Sequence, residues 1–350
     1  MMHLTRNEFG KSIDLTVKAL SGNLSPEVEL LEIRPALRPF LRFHIAAAIA
    51  AAGDVKSAQA WLAAGALEEK ENMACAYMAG FLQRHGAFSM PTTVFEDPRP
   101  YIHFTTVPSI DGMRRRFHRF AARTLPSFDR PVRFMDVGCG NGTMGVELLL
   151  SLKELGVILA IEEIVLVDPF PAMLEIARLS AETVFPGVKV TQILGKSQDV
   201  ALRLPDGLDI TLCSLSIHHM PWEVKSSLVK ELAKRSSEIL LFEMDANHDT
   251  SALGSPEISL SVYQAYGGII DAIFAHDAPL DVALGCVDLF LLAEVVSLLT
   301  QPRGERTEYH MTRAQWRRLF EEEAGCCMAA VETCLANSGV EFFGQHYRTS

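Results

Sequence analysis

From Arg133 to Gly145 the chain reads RFMDVGCGNGTMG: a short apolar strand closed by an acid, three glycines at Gly138, Gly140 and Gly142, then a helix-forming run. No other stretch constrains the fold as strongly. Glycines at a strand-to-helix junction allow a tight turn whose N–H groups face a polar or anionic ligand at the helix N-terminus, with no Cβ to hold the ligand away. A dinucleotide fingerprint, G-x-G-x-x-G, would need its third glycine at Thr143, but here it is Gly142, and Asp136 stands two residues before the first. A nucleotide-like ligand is expected at this turn.

After Arg130 strand and helix patterns alternate, which implies a parallel sheet covered by helices on both faces. The strands are read at Val132–Val137, Ile164–Asp168, Val188–Leu194, Leu208–Ser216 and Glu238–Met244, each short, apolar and flanked by turn residues. Helices fit between them at Gly142–Leu155, Ala172–Val184, Gln198–Leu204 and Pro221–Arg235. Strand-like segments return near Ala329–Leu335 and Val340–Tyr347.

The pattern D-x-G-C-G-N-G resembles motif I of class I S-adenosylmethionine (SAM)-dependent methyltransferases. LCSLSIHHMPW, after the fourth strand, is similar to the serine-then-paired-histidine segment of many small-molecule methyltransferases. The resemblance runs from about Val132 to Arg348. It implies an α/β, Rossmann-like, doubly wound and mostly parallel seven-stranded sheet that ends in an antiparallel hairpin, with SAM as cofactor.

Within that resemblance, Asp136, Gly138, Gly140, Asn141 and Gly142 form the cofactor loop. Asp168, followed by Pro169, ends the second strand, where a carboxylate can accept hydrogen bonds from both ribose hydroxyls. At Gly195–Asp199 the family often has an acid, but this chain offers Lys196, Ser197 and Gln198, which leaves Ser197 and Gln198 to contact adenine. Ser214 and Ser216 would lie under the sulfonium and its amino acid tail. His218 and His219 reach the mouth of the site, where a neutral imidazole can take a proton from a substrate, and His219 is the preferred base. FEMDANHD, after the fifth strand, brings Glu243, Asp245, Asn247 and His248 to the edge where open α/β sheets bind ligands, so a substrate role is expected of them. Tyr263 and Tyr266 are further substrate candidates through their ring faces, although core packing is the expected use of both. Asp245 and His248 lack a clear third ligand, so no metal is expected.

The rest of the chain divides around this core. Residues 1–90 are Ala- and Leu-rich and helical, residues 91–130 a linker and leading helix, and residues 131–350 the SAM-binding domain, with a helical insertion at about 250–300. Met90–Pro108, rich in Pro, Thr and aromatics, reads as an extended connection. The helix beginning near Ser109 carries Arg114, Arg115, Arg116, Arg119 and Arg123, either a phosphate site or, as expected here, a solvated face.

A net charge of −11 argues against nucleic acid or an anionic membrane as partner and favours a small molecule. A homodimer joined through the helical regions is the expected assembly. Seven scattered cysteines without a CxxC pair fit reduced thiols in a cytoplasm. The apolar run Phe43–Ala52 is too short to cross a bilayer, and Asp288 and Glu294 mark the segment around LFLLAEVVSLL as a buried helix.

Three functions are compatible with these residues. The first is methyl transfer from SAM to an oxygen, nitrogen or carbon of a small metabolite, including one of secondary metabolism. The second keeps the cofactor but transfers its aminocarboxypropyl group or cyclises it with release of methylthioadenosine. The third is a non-catalytic regulatory or binding protein on the same fold, since FEMDANHD before a long helical insert is similar to the plant GRAS regulators.

Overall fold

The computed structural model describes residues 2–70, 72–88, 97–337 and 340–349. The chain forms two compact units: Met1–Val94 with Ala246–Glu308 and Asn337–Val340, and Phe95–Asp245 with Tyr309–Ala336 and Glu341–Ser350.

The first unit is helical. It holds α1 (Arg6–Leu20), α2 (Arg38–Ala51), α3 (Val55–Ala66), α4 (Ala74–His85), α11 (Pro256–Ala275), and α12 (Leu280–Gly285), which runs through a π turn at Cys286–Leu291 into α13 (Leu292–Thr300). Buried residues occur all round α2, from Phe40 to Ala50, because its alanines let neighbouring helices approach on every side. Its polar residues are satisfied. Arg42 bonds Pro26 O, Val28 O and Glu68, and His44 meets Ser259 Oγ at 2.8 Å.

Pro256–Ala275 and Leu280–Thr300 are long and apolar enough to cross a membrane, but 67% and 72% of their most apolar windows are buried inside the fold. Two acids of the second segment are paired within the unit. Asp288 accepts from Arg84 at 2.7 Å, and Glu294 accepts from the Tyr266 hydroxyl at 2.9 Å.

The second unit begins with α5 (Arg99–Thr106) and α6 (Pro108–Thr124). Between Met90 and Pro108, where an extended connection was expected, residues 99–106 are helical, and residues 90–96 lie outside the described ones. Proline explains the difference. Pro100 lies in the first turn, where its missing N–H costs nothing and its fixed φ suits a helix. Val107, held extended by Pro108, ends α5 and starts α6.

The sheet follows in the order β3-β2-β1-β4-β5-β7-β6. Its strands are β1 (Val132–Val137), β2 (Ile161–Asp168), β3 (Lys189–Leu194), β4 (Leu208–Ser214), β5 (Ser236–Met244), β6 (Cys327–Asn337) and β7 (Val340–Arg348). The first five are parallel and β7 is antiparallel to β5. Interleaved are α7 (Thr143–Glu154), α8 (Pro171–Val184), α9 (Ser197–Val200), α10 (Trp222–Arg235) and α14 (Arg313–Arg318).

Side chains alternate across the sheet, as strand geometry requires. Met135, Val137, Val165 and Val167 pack in one core with Leu228, Val229 and Leu232 of α10 and with Trp316. The opposite face meets α6 and α7. Phe117 of α6 lies 5.0 Å from Phe242 of β5, and Phe134 of β1 lies against Gly145 of α7.

Gly142, with φ of 77°, is the residue through which the loop enters α7, and a Cβ there would fall 2.8 Å from the Ala177 backbone of α8. Gly142→Ala is therefore expected to cost about 2 to 4 kcal/mol. The same change at Gly156, which has positive φ but open space around it, is expected to cost about 1 kcal/mol. Urea denaturation of both variants checks the difference, and equal losses would remove the packing role from Gly142.

Candidate functional site

β1 and β4 are neighbours at the centre of the sheet, and the chain runs outward from them in opposite directions, to β2 and β3 on one side and to β5 on the other. Open α/β sheets bind ligands in the crevice at the carboxyl ends of such a pair. The glycine loop leaves β1 here and the serine-histidine segment leaves β4.

The two segments are tied together. Ser216 donates to Val137 O at 2.5 Å, and a Cβ on Gly138 would lie 2.5 Å from that of Ser216. Between Ser214 and Ser216 stands Leu215, the one non-glycine residue with positive φ (47°) among those described. Its N–H is held by Phe242 O at 2.9 Å. Such backbone strain persists only where surrounding bonds fix it.

Asp168 anchors the loop from the side of β2. Its Oδ2 accepts from Gly140 N and its Oδ1 from Phe170 N, both at 2.9 Å. Each oxygen keeps a further acceptor direction. Burial pushes its pKa up, against the pull of those two N–H groups and of the His219 charge. Asn141 turns its Oδ1 back to Thr143 N at 3.2 Å.

Asp136 is 1% exposed. Its Oδ2 has no hydrogen-bond partner and rests where a Cβ of Gly145 would be, 2.5 Å away. Burial, reinforced by the Asp168 charge and opposed by Arg114, pushes its pKa up to about 7. Gly145 went unmarked in the sequence because its reason is this contact, which no glycine spacing reveals.

His218 and His219 follow in a single 3₁₀ turn, Ile217–His219, and differ sharply in setting. His218 is buried and His219 is exposed, with ring centroids 4.3 Å apart. His218 Nδ1 meets Glu243 Oε2 at 2.9 Å and Oε1 at 3.1 Å. His310 stacks on His218 at 3.9 Å, with its Nδ1 3.6 Å from Glu243 Oε2. Burial works to raise the Glu243 pKa, but the two histidines outweigh it and hold the carboxyl down at about 2.

His310 is a site residue that sequence reasoning missed. No motif links it to Glu243, and it reaches the strand ends through the segment before α14, where Tyr309 N donates to His218 O at 2.7 Å. His218, Glu243 and His310 each offer one ligand atom within 4.8 Å of the others, so this is a set that could hold a metal ion.

The remaining sequence candidates are divided between the units. Ser197 is buried and Gln198 half-buried at the start of α9, beyond Gly195, whose N–H bonds Asp168 O at 3.0 Å. Pro169 lies between the Asp168 carboxyl and the Phe170 N–H it accepts from. Ser214 ends β4 half-buried. Asp245 accepts from Arg313 N at 2.9 Å, at the first turn of α14.

Asn247, His248, Tyr263 and Tyr266 belong to the helical unit. There Asn247 accepts from Thr250, His248 bonds Ser261 at 3.0 Å, and Tyr263 sets its edge against Phe40 and Phe43. The arginines of α6 also divide. Arg115, Arg116, Arg119 and Arg123 are exposed, whereas Arg114 is buried.

No curated protein matches the chain. Among solved structures, the chain is similar to a protein of Nostoc punctiforme PCC 73102 described as an O-methyltransferase. The identity is 17% and the TM-score 0.44, covering 74% of this chain and 63% of that one, so this chain spans less than two thirds of its length. It is also similar to the magnesium protoporphyrin IX methyltransferase of Synechocystis PCC 6803, at 15% identity, TM-score 0.39, and 77% and 90% coverage. A SAM-dependent methyltransferase of Leishmania major gives 12%, 0.40, and 71% and 80%. Residues 134–236, from β1 to the start of β5, match the sequence model of the methyltransferase domain family. With that match on the glycine loop, Asp168 and the 3-2-1-4-5 sheet, the chain carries a class I SAM-dependent methyltransferase domain, and SAM is its cofactor.

Proposed function

We propose that the protein transfers the methyl group of SAM to an oxygen, nitrogen or carbon atom of a small metabolite, with His219 as proton acceptor. The observation that supports this most directly is the meeting of the glycine loop, Asp168 and the paired histidines at the carboxyl ends of β1, β2 and β4. SAM supplies an electrophilic methyl on a sulfonium, so the chain's own residues are left to bind, orient and manage one proton.

The residues present fit that cofactor. A Cβ on Gly138 would strike Ser216 and one on Gly140 would strike Tyr101, so the loop backbone stays bare; Asp168 keeps acceptor directions for a diol, and the buried Asp136 has an unpartnered Oδ2. Asp136, Gly138, Gly140, Asn141 and Gly142 would hold the amino acid end, Asp168 and Pro169 the ribose, Ser197 and Gln198 the adenine, and Ser214 and Ser216 the region beneath the sulfur. Glu243, ionised across the working range, fixes His218 through its Nδ1, and His218 backs the exposed His219 ring. Glu243 and Asp245 are the acceptor-side residues in this reading.

His219→Gln is expected to lower kcat by about 10²- to 10⁴-fold while S-adenosylhomocysteine binds unchanged in calorimetry. Full turnover in that variant would remove His219 from proton transfer. Methylthioadenosine formed without an acceptor would assign the enzyme to SAM cyclisation instead.

Asp136 gives a pH-dependent test. A carboxyl whose folded pKa lies near 7, against 3.8 as the ordinary value, costs stability once it must ionise inside the fold. Asp136→Asn is expected to stabilise the ligand-free protein by about 1 to 3 kcal/mol at about pH 8. The gain shrinks below about pH 7 and vanishes near pH 4, where the carboxyl carries its proton in both folded and unfolded states. Urea denaturation across that range checks the slope, and a gain independent of pH would show that the charge is not its source.

A further inference from the structure

Three donor side chains converge at the carboxyl ends of β4 and β5, each from a different element. His218 comes from the 3₁₀ turn after β4, Glu243 from β5, and His310 from the segment before α14. All three are buried, at 4%, 0% and 3% exposure. Glu243 Oε2 is their shared centre, with His218 Nδ1 at 2.9 Å and His310 Nδ1 at 3.6 Å. The ligand atoms of the three residues all lie within 4.8 Å of one another.

The approach of His310 is fixed by its neighbours. Tyr309 N donates to His218 O at 2.7 Å, which ties the segment to the turn after β4. Lys225 of α10, fully buried and 4.9 Å from the centre of the Trp316 ring, donates its ammonium to Tyr309 O. Burying an ammonium is costly, and this one holds the residue next to His310. A fully buried carboxylate needs a cation beside it, and two imidazoles stacked with ring centroids 3.9 Å apart cannot both be that cation without repelling each other. A divalent ion bound by both rings and the carboxylate supplies the charge while the rings stay neutral.

Imidazole suits zinc, whereas magnesium and calcium take oxygen ligands. Two donors bound tetrahedrally to zinc at about 2.0 to 2.2 Å lie roughly 3.3 to 3.5 Å apart. The observed 2.9 and 3.6 Å bracket that spacing. We propose that His218, Glu243 and His310 form a zinc site, with the fourth position left for solvent or the acceptor. Zinc takes the place of the proton shared by His218 and Glu243, which is released on binding. A zinc-bound acceptor hydroxyl gives up its proton more readily, and His219, whose ring lies 4.3 Å from that of His218, receives it as the methyl group passes from sulfur to oxygen. That last step rests on the methyl-transfer reading; the zinc site itself does not.

Equilibrium dialysis of the chelator-treated full chain against Zn²⁺, read by elemental analysis, tests it. The unmodified protein is expected to take up about one equivalent of zinc, and His310→Gln and Glu243→Gln to weaken uptake by about 100-fold or more. No uptake by the unmodified protein, or unchanged affinity in either variant, overturns the site and leaves a histidine–glutamate ion pair. Should the variants fail to fold, Co²⁺ bound to the unmodified protein decides. Visible bands without a thiolate charge-transfer band are expected of nitrogen and oxygen ligands; a thiolate band, which would place the metal on cysteines, or a spectrum with no visible bands overturns the assignment. S-adenosylhomocysteine is titrated into the metal-free protein in parallel, and its failure to bind would undo the SAM reading while leaving the zinc result as measured.

Discussion

The site depends on β1 being paired in parallel on both edges. Asp136 sits in register with Leu166 of β2 on one side and Leu212 of β4 on the other, and α6 and α7 cover its face of the sheet. That position removes water from a carboxylate that has no partner of its own, which is why its pKa rises. The double pairing also fixes where β1 stops, so the glycine loop, Asp168 and Ser216 meet at one edge. Burying this carboxyl costs stability whenever it ionises, a pattern common at functional sites.

Much of this was legible in the chain because it is local. β1 was read at its observed limits, Val132–Val137, since a strand buried on both faces is an uninterrupted apolar run bounded by turn residues. The glycine loop and Asp168 were legible for a similar reason, each being a backbone requirement written into a few consecutive residues. β2 began three residues earlier than read, at Ile161, where Glu162 and Glu163 broke the apolar pattern, although Glu163 is buried and paired with Arg133 at 2.8 Å.

What could not be read was tertiary. Arg114 looks like its neighbours Arg115 and Arg116, and only the packing of α6 on the sheet separates it from them. His310 has no local signal tying it to Glu243. Tyr101 lay in a proline-rich run that looked extended, whereas Pro100 in fact opens a helix that carries the ring to Gly140. In each case the deciding fact is which distant backbone lies alongside, and a periodicity of two or of 3.6 residues carries no record of that.

The helical unit is assembled from segments far apart in the chain, and this governs how it can form. His44 bonds Ser259 across 215 residues, Tyr77 bonds Asp271 across 194, and Arg84 bonds Asp288 across 204. Helices α2 to α4 therefore leave the ribosome long before the helices that bury their apolar faces. At ordinary synthesis rates the wait is roughly 10 to 40 s, during which β1 to β5 are made but β6 and β7 are not. For this protein, the helical unit can be completed only once its second segment has been made, even though its first helices are the first part made.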